Sequence, residues 1–194
     1  MQKLAATDLM SLEQYARERP QLRARMIEYR RRRQLRIGDN CTWSFEDRRT
    51  VQYQIQEMLR AERIFEPAGI AEELEVYNSL VPAGSNLMAT LLIEFPDPDE
   101  RAQRLIELRG FERHCWMRVE ACEPVFAIAD EDLERENDLK TSAVHFLRFE
   151  FSAAMIERFR GGAALAAGVD LAAYRHSVEP VPEALRSALL EDFG

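Results

Sequence analysis

Apolar and polar positions follow one rhythm in the front of this chain and another behind it, and the change falls near Ser85. In the front half the spacing is helical. Thr7 or Ser11, the latter with Gln14 three residues on, can cap a first helix reaching about Glu18. Pro20 suits the first turn of a second helix ending near Arg33, because the N–H it lacks would be unpaired there anyway. Residues 34–37 and 41–45 flank Gly38-Asp39-Asn40, a triplet that supplies the positive φ of a tight reversal, and so predict a short hairpin. Residues 47–65 hold the longest helical pattern, with Val51, Ile55, Met58 and Phe65 on one face and Pro67 and Gly69 closing it. A further helix over 70–80 leads to Val81-Pro82-Ala83-Gly84-Ser85, which reads as a hinge between the halves.

Behind that hinge, strands are predicted over 87–95, 114–119, 125–129, 143–151 and 163–169, with helices over 98–109 and 152–160 among them. Residues 125–129 are apolar on both faces, which places them centrally in a covered sheet. After Pro182 the tail can form a last amphipathic turn or two. The expected class is α+β, with N-terminal helices packed on a mixed, largely antiparallel β-sheet. The expected organisation is a single domain over 1–194, comprising a helix-rich half (1–82), a sheet-rich half (86–178) and a C-terminal tail (179–194).

Composition narrows the class of protein without identifying it. Of the 194 residues 46% are hydrophobic and 31% charged, with 8 Gly and 8 Pro, which excludes collagen-like, low-complexity and wholly disordered chains. A net charge of −8 argues against non-specific nucleic-acid binding. The charge is unevenly spread, however: the first 36 residues sum to +6 and the rest to −14, a basic cap on an acidic body. No stretch approaches the roughly 18 apolar residues of a membrane span. Asp8 and Glu13 interrupt any apolar signal core, so a cytoplasmic protein is expected. Three cysteines without a CxxC pair are expected to be free thiols.

No nucleotide-binding glycine motif is present, nor GxSxG, HExxH or paired CxxC, so the familiar nucleotide, hydrolase and zincin chemistries lose their sequence support. His114 and Cys115 adjoin but point to opposite faces of a strand, and Cys115 shares its face with Met117 and Val119 as a core residue would. A metal set drawn from His114, Cys115 and Cys122 lacks tight ligand spacing. The acidic run at 130–138 lacks the central glycine and spacing of an EF-hand and reads as a solvated loop or short helix.

Two features carry more. Arg30, Arg31, Arg32 and Arg33, joined by Arg36, sit at a predicted helix C-terminus; they are a solvated helix end or docked onto the acidic body, or else a site for phosphate, nucleic acid or an acidic partner. In the 47–65 helix, Gln54 and Glu62 lie about 40° either side of Met58, which turns a carboxylate toward the core with Glu57 nearby. An unpaired buried carboxylate costs several kcal/mol, so Glu62 needs a partner. Arg148, on the same face of the 143–151 strand as the apolar Val144 and Phe146, would make it structural; His145, on the opposite face beside Leu147 and Phe149, would make it a metal ligand or acid/base.

The strings Phe45-Glu46-Asp47-Arg48-Arg49-Thr50-Val51-Gln52-Tyr53-Gln54-Ile55-Gln56-Glu57-Met58-Leu59-Arg60-Ala61-Glu62-Arg63-Ile64-Phe65, Ile128-Ala129-Asp130-Glu131-Asp132-Leu133-Glu134-Arg135-Glu136-Asn137 and Lys140-Thr141-Ser142-Ala143-Val144-His145-Phe146-Leu147-Arg148-Phe149-Glu150 resemble the bacterial domain-of-unknown-function family 3501 over nearly the whole chain. The resemblance implies association with rubrerythrin-like diiron proteins or iron–sulfur oxidoreductases, and hence a role in redox or oxidative stress. Near the C-terminus the family pattern has a histidine in an Asp-His-Pro sequence, where this chain has Asp170-Leu171-Ala172-Ala173-Tyr174, so no role of that histidine carries over.

The leading expectation is a partner-binding accessory of such a redox system, with a metal ion held at the Glu57/Glu62 region. The alternatives are an enzyme using Glu62 with His145, and an anion-binding module using Arg30 to Arg33.

Overall fold

The computed structural model describes residues 2–129 and 140–193, and the acidic run at 130–138 lies outside the described residues. The elements in chain order are α1 (Leu12–Arg31), β1 (Gln34–Arg36), β2 (Cys41–Glu46), α2 (Arg48–Glu62), α3 (Pro67–Tyr77), β3 (Asn86–Ile93), α4 (Pro98–Glu107), β4 (Cys115–Val119), β5 (Val125–Phe126), β6 (Ile128–Ala129), β7 (Val144–Glu150), α5 (Ala153–Arg160), β8 (Leu165–Leu171), β9 (Tyr174–Val178) and α6 (Glu183–Leu190). The α+β class holds. The strands form two sheets, a five-stranded one in the order β1-β2-β3-β7-β6 and a four-stranded one in the order β5-β4-β8-β9, and all their pairings are antiparallel.

Strand alternation sorts the side chains into two cores. Trp43, Leu87, Leu91 and Phe149 point from the larger sheet toward Met117 and Leu165 of the smaller one, and Leu105, Phe159 and Leu189 from α4, α5 and α6 close that core. Met88 and Phe146 point to the other face of the larger sheet, where they meet Val51, Ile55 and Leu59 of α2 and Leu74 of α3. Residues 125–129 are corrected: they are not one central strand but two edge fragments. β5 pairs with β4 in one sheet and β6 with β7 in the other, so Phe126 and Ile128 remain exposed. A short apolar run can cross between two sheets as readily as it can lie inside one.

The two helices expected before Arg33 are a single helix. Ser11 caps it, its Oγ accepting from Gln14 N, and Pro20 lies in its interior. Proline removes one backbone bond and leaves the Ala16 carbonyl without its helical donor. Both Ala16 and Pro20 are exposed, so water can serve that carbonyl. The hairpin forms around Gly38, whose φ is +65°. A side chain there would be strained, and its Cβ would lie 2.6 Å from the Tyr174 hydroxyl. That hydroxyl donates to Ile37 O at 2.7 Å and accepts from Asn40 N at 3.0 Å, tying the hairpin tip to β9 of the other sheet.

Candidate functional site

The expected Glu62 centre is not assembled. α2 ends at Glu62, Arg63 takes a left-handed φ of +57°, and Phe65 lies beyond the helix and exposed. The buried stripe is Val51, Ile55 and Leu59. Glu62 has the right angular position, seven residues after Ile55, but the last turn overhangs the core, so its carboxylate is exposed. Burial raises the carboxyl pKa of Glu73 in α3, and the opposing charges of Glu62 and Glu72 add to it. Arg148, expected to pair with Glu62, bonds Glu150 two residues along its own strand, and both are half-exposed. Glu57 is the carboxylate held between helices. It receives Arg19 Nε at 2.8 Å and Arg19 Nη2 at 2.7 Å, and the Tyr15 hydroxyl at 2.6 Å. The arginine bond holds its carboxyl below the usual range.

His145 is buried on the opposite face of the sheet from α2. Its Nε2 lies 3.0 Å from Ser142 O, an acceptor, so that nitrogen carries the proton. Thr141 Oγ1 is 2.9 Å away and Glu112 Oε2 4.0 Å. Glu62 and His145 therefore occupy different sides of the larger sheet and cannot act on one substrate or metal. Among the described residues no group of three His, Cys, Asp or Glu side chains could hold a metal ion. The three cysteines are free, with Cys41 and Cys115 buried.

The arginine run divides sharply. Arg33, expected to be either solvated or docked onto the acidic body, is docked and buried, with 1% of its surface exposed. Its Nε donates to Phe45 O at 3.1 Å and its Nη1 to Ala188 O at 3.0 Å, while Nη2 pairs with Asp192. Asp47 Oδ2, which also receives the Tyr29 hydroxyl, lies 3.6 Å from Nη1. One guanidinium thus joins the end of α1, the strand–helix corner at Asp47 and the C-terminal segment. The chain leaves α1 at Arg32, so the next side chain turns inward. Arg31 remains exposed and pairs with Glu28, and Arg36 donates to Asp39 O.

Arg30 and Arg32 take part in a different arrangement between α1 and α2. The Arg30 guanidinium of α1 lies over the Tyr53 ring of α2 at 5.7 Å, and Arg49 of α2 lies over the Tyr29 ring of α1 at 4.4 Å. Arg32 approaches Tyr29 as well, at 5.4 Å. Each such contact contributes on the order of 0.5–1 kcal/mol at an exposed position, so the crossed pairs hold the guanidinium groups in place without neutralising them. Beside them is a cavity of about 130 Å³ with an apolar and aromatic wall that includes Met10, Tyr15, Leu22 and Met26, and with Arg25 and Arg49 at its edge. Arg25, Arg30, Arg32 and Arg49 make no ion pair among the described residues.

Sequence reasoning had Arg30 and Arg32 but not Arg25, Arg49 or Tyr53. The signal was the repeated Arg-x-x-x-Tyr spacing at Arg25/Tyr29 and Arg49/Tyr53, which puts arginine and tyrosine on the same face of each helix.

A second depression, of about 340 Å³, lies on the outer face of the smaller sheet. There the Trp116 indole lies against Gly168, where a Cβ would come within 2.6 Å of the ring. Its cations are already matched, Arg118 with Glu179 and Arg175 with Asp170. It offers area without charge preference, whereas the α1/α2 groove offers both.

Residues 3–193 match the family described as protein of unknown function (DUF3501). A crystal structure of a novel protein of unknown function from Burkholderia pseudomallei is similar to this chain, with 43% sequence identity, a TM-score of 0.94 and coverage of 100% of both chains. No curated protein matches the chain. No helix among the described residues is long and apolar enough to cross a membrane.

Proposed function

We infer that this chain, which belongs to the family described as protein of unknown function (DUF3501), is a binding module whose α1/α2 groove receives an anionic group from a partner. The observation that supports this is the set of four guanidinium groups, Arg25, Arg30, Arg32 and Arg49, gathered beside an aromatic-walled cavity without ion-pair partners among the described residues. In a chain with a net charge of −8, internal carboxylates were available to neutralise these arginines, as Asp47 and Asp192 do for Arg33. Leaving four unmatched keeps a local positive field that raises the encounter rate with an acidic surface. A rubrerythrin-like diiron protein or an iron–sulfur oxidoreductase, the partners the family resemblance implies, would present its acidic surface to this groove. The enzyme reading loses its geometric support with the separation of Glu62 from His145.

The test is salt-dependent retention on immobilised polyglutamate. Wild-type protein is retained despite its net negative charge and released as salt screens the contact. Arg25→Ala/Arg49→Ala loses retention, and Arg31→Ala/Arg36→Ala keeps it. Equal behaviour of the three proteins contradicts the assignment.

A further inference from the structure

We propose that the occupant of the groove is an acidic protein segment carrying one apolar side chain, which enters the cavity while its carboxylates lie along the arginines outside. This rests on the anion-binding reading above and adds the class of ligand. Size decides against a whole nucleotide or comparable cofactor: such ligands fill pockets of roughly 300–1,000 Å³, and this cavity holds about 130 Å³. That volume admits one aliphatic side chain. Its wall has the matching chemistry, with Met10, Leu22 and Met26 offering adaptable apolar contact and the ring of Tyr15 fully buried behind them.

The cavity's polar groups are partly committed. Gln56 Oε1 accepts from Met10 N at 2.6 Å, and the Tyr15 hydroxyl donates to Glu57. A polar head entering the cavity would compete with those bonds, whereas an apolar group leaves them intact. The charges lie at the edge instead, where Arg25 is exposed and Arg49 is held over Tyr29. An apolar anchor inside a ring of charge contacts is the arrangement in which a single side chain supplies most of the affinity and the surrounding charges supply selectivity. A phosphate polymer or single-stranded nucleic acid would use the arginines but leave the cavity empty.

The experiment measures binding by fluorescence anisotropy at low salt. The probes are two labelled nine-residue peptides, each with four glutamates on either side of a central residue, which is leucine in one and alanine in the other. Unlabelled polyphosphate and an oligothymidine serve as competitors. The leucine peptide is expected to bind at least about tenfold more tightly than the alanine peptide, the ratio that burying three further carbons yields. Leu22→Trp, which narrows the cavity from its wall, should bring that ratio close to one. Leu22→Phe replaces it if the larger ring lowers the unfolding temperature. Arg25→Ala/Arg49→Ala should weaken both peptides.

Equal affinity of the two peptides overturns the anchored-segment proposal and leaves the anion groove standing. Polyphosphate or oligothymidine competing more strongly than the leucine peptide overturns it in favour of a phosphate ligand. Absence of binding by every probe removes the anion-binding reading together with the proposal.

Discussion

Replacing Arg33 by Met keeps the length of the side chain and removes its charge and all its donors. Two consequences follow from its surroundings. Asp192, itself buried, loses its charge partner, and the Phe45 and Ala188 carbonyls lose donors at 3.1 and 3.0 Å. Removing one member of a buried ion pair costs about 3–5 kcal/mol, because the remaining charge stays desolvated. Domains are stable by only about 5–15 kcal/mol, so the loss is about a fifth or more of the total. For a chain of this length each kcal/mol moves the midpoint by roughly 2–4 °C, which places the expected drop at roughly 6–20 °C.

Thermal unfolding followed by circular dichroism near pH 8, with Asp192 ionised, reads this directly. The comparison is Arg31→Met, whose side chain is 70% exposed and pairs only with an equally exposed Glu28; its midpoint should not change measurably. Adding Asp192→Leu to Arg33→Met should recover part of the loss, since the stranded carboxylate is then gone. A midpoint within about 2 °C of wild type for Arg33→Met, below the shift that one kcal/mol produces, would refute the assignment of Arg33 as the tie between α1 and the C-terminal segment.

Other consequences are open to measurement. Burial raises the Asp192 carboxyl to about 7, although Arg33 draws it down. The folded state then holds that proton more tightly than the unfolded chain, so this group's stabilisation is full below about pH 4 and is lost as pH rises toward 7. Asp192→Asn should flatten the midpoint-against-pH curve over that range, and a curve parallel to wild type would contradict it. Glu57→Gln should lower the unfolding midpoint modestly through the Arg19 pair, while Glu62→Gln should leave it unchanged; the reverse order would restore the buried Glu62. Under native conditions a thiol reagent should label Cys122 first. Cys41, whose thiol burial pushes up to about 12, and Cys115, raised further still, should react only on unfolding.

Local patterns were legible wherever the deciding interactions are local. Ser152 capping α5, the hairpin at Gly38 and the alternation through Leu147 and Phe149 all follow from neighbours within a few residues. What was hidden depends on where elements end against one another. Glu62 satisfies the helical period, but whether it is buried depends on how far the core extends beneath α2, and no period contains that length. Arg33 stands in a run of four arginines, and only the departure of the chain from the helix at Arg32 turns it inward toward Asp192, 159 positions away. Residues 125–129 show the same limit, because the existence of two sheets rather than one is decided by packing around strands far away in sequence. The groove was half legible. The basic surplus of the first 36 residues marked α1, while the crossing of Arg30 and Arg49 onto the opposite helix's tyrosines required the two helices to be side by side.

The most direct test of the binding module is a two-dimensional NMR titration of isotope-labelled protein with polyglutamate, following backbone amides and arginine side chains. The groove predicts that the largest shifts cluster at Arg25, Met26, Tyr29, Arg49 and Tyr53, and that they disappear in Arg25→Ala/Arg49→Ala. Shifts centred on Trp116 and the outer face of the smaller sheet, or no shifts anywhere, would contradict it.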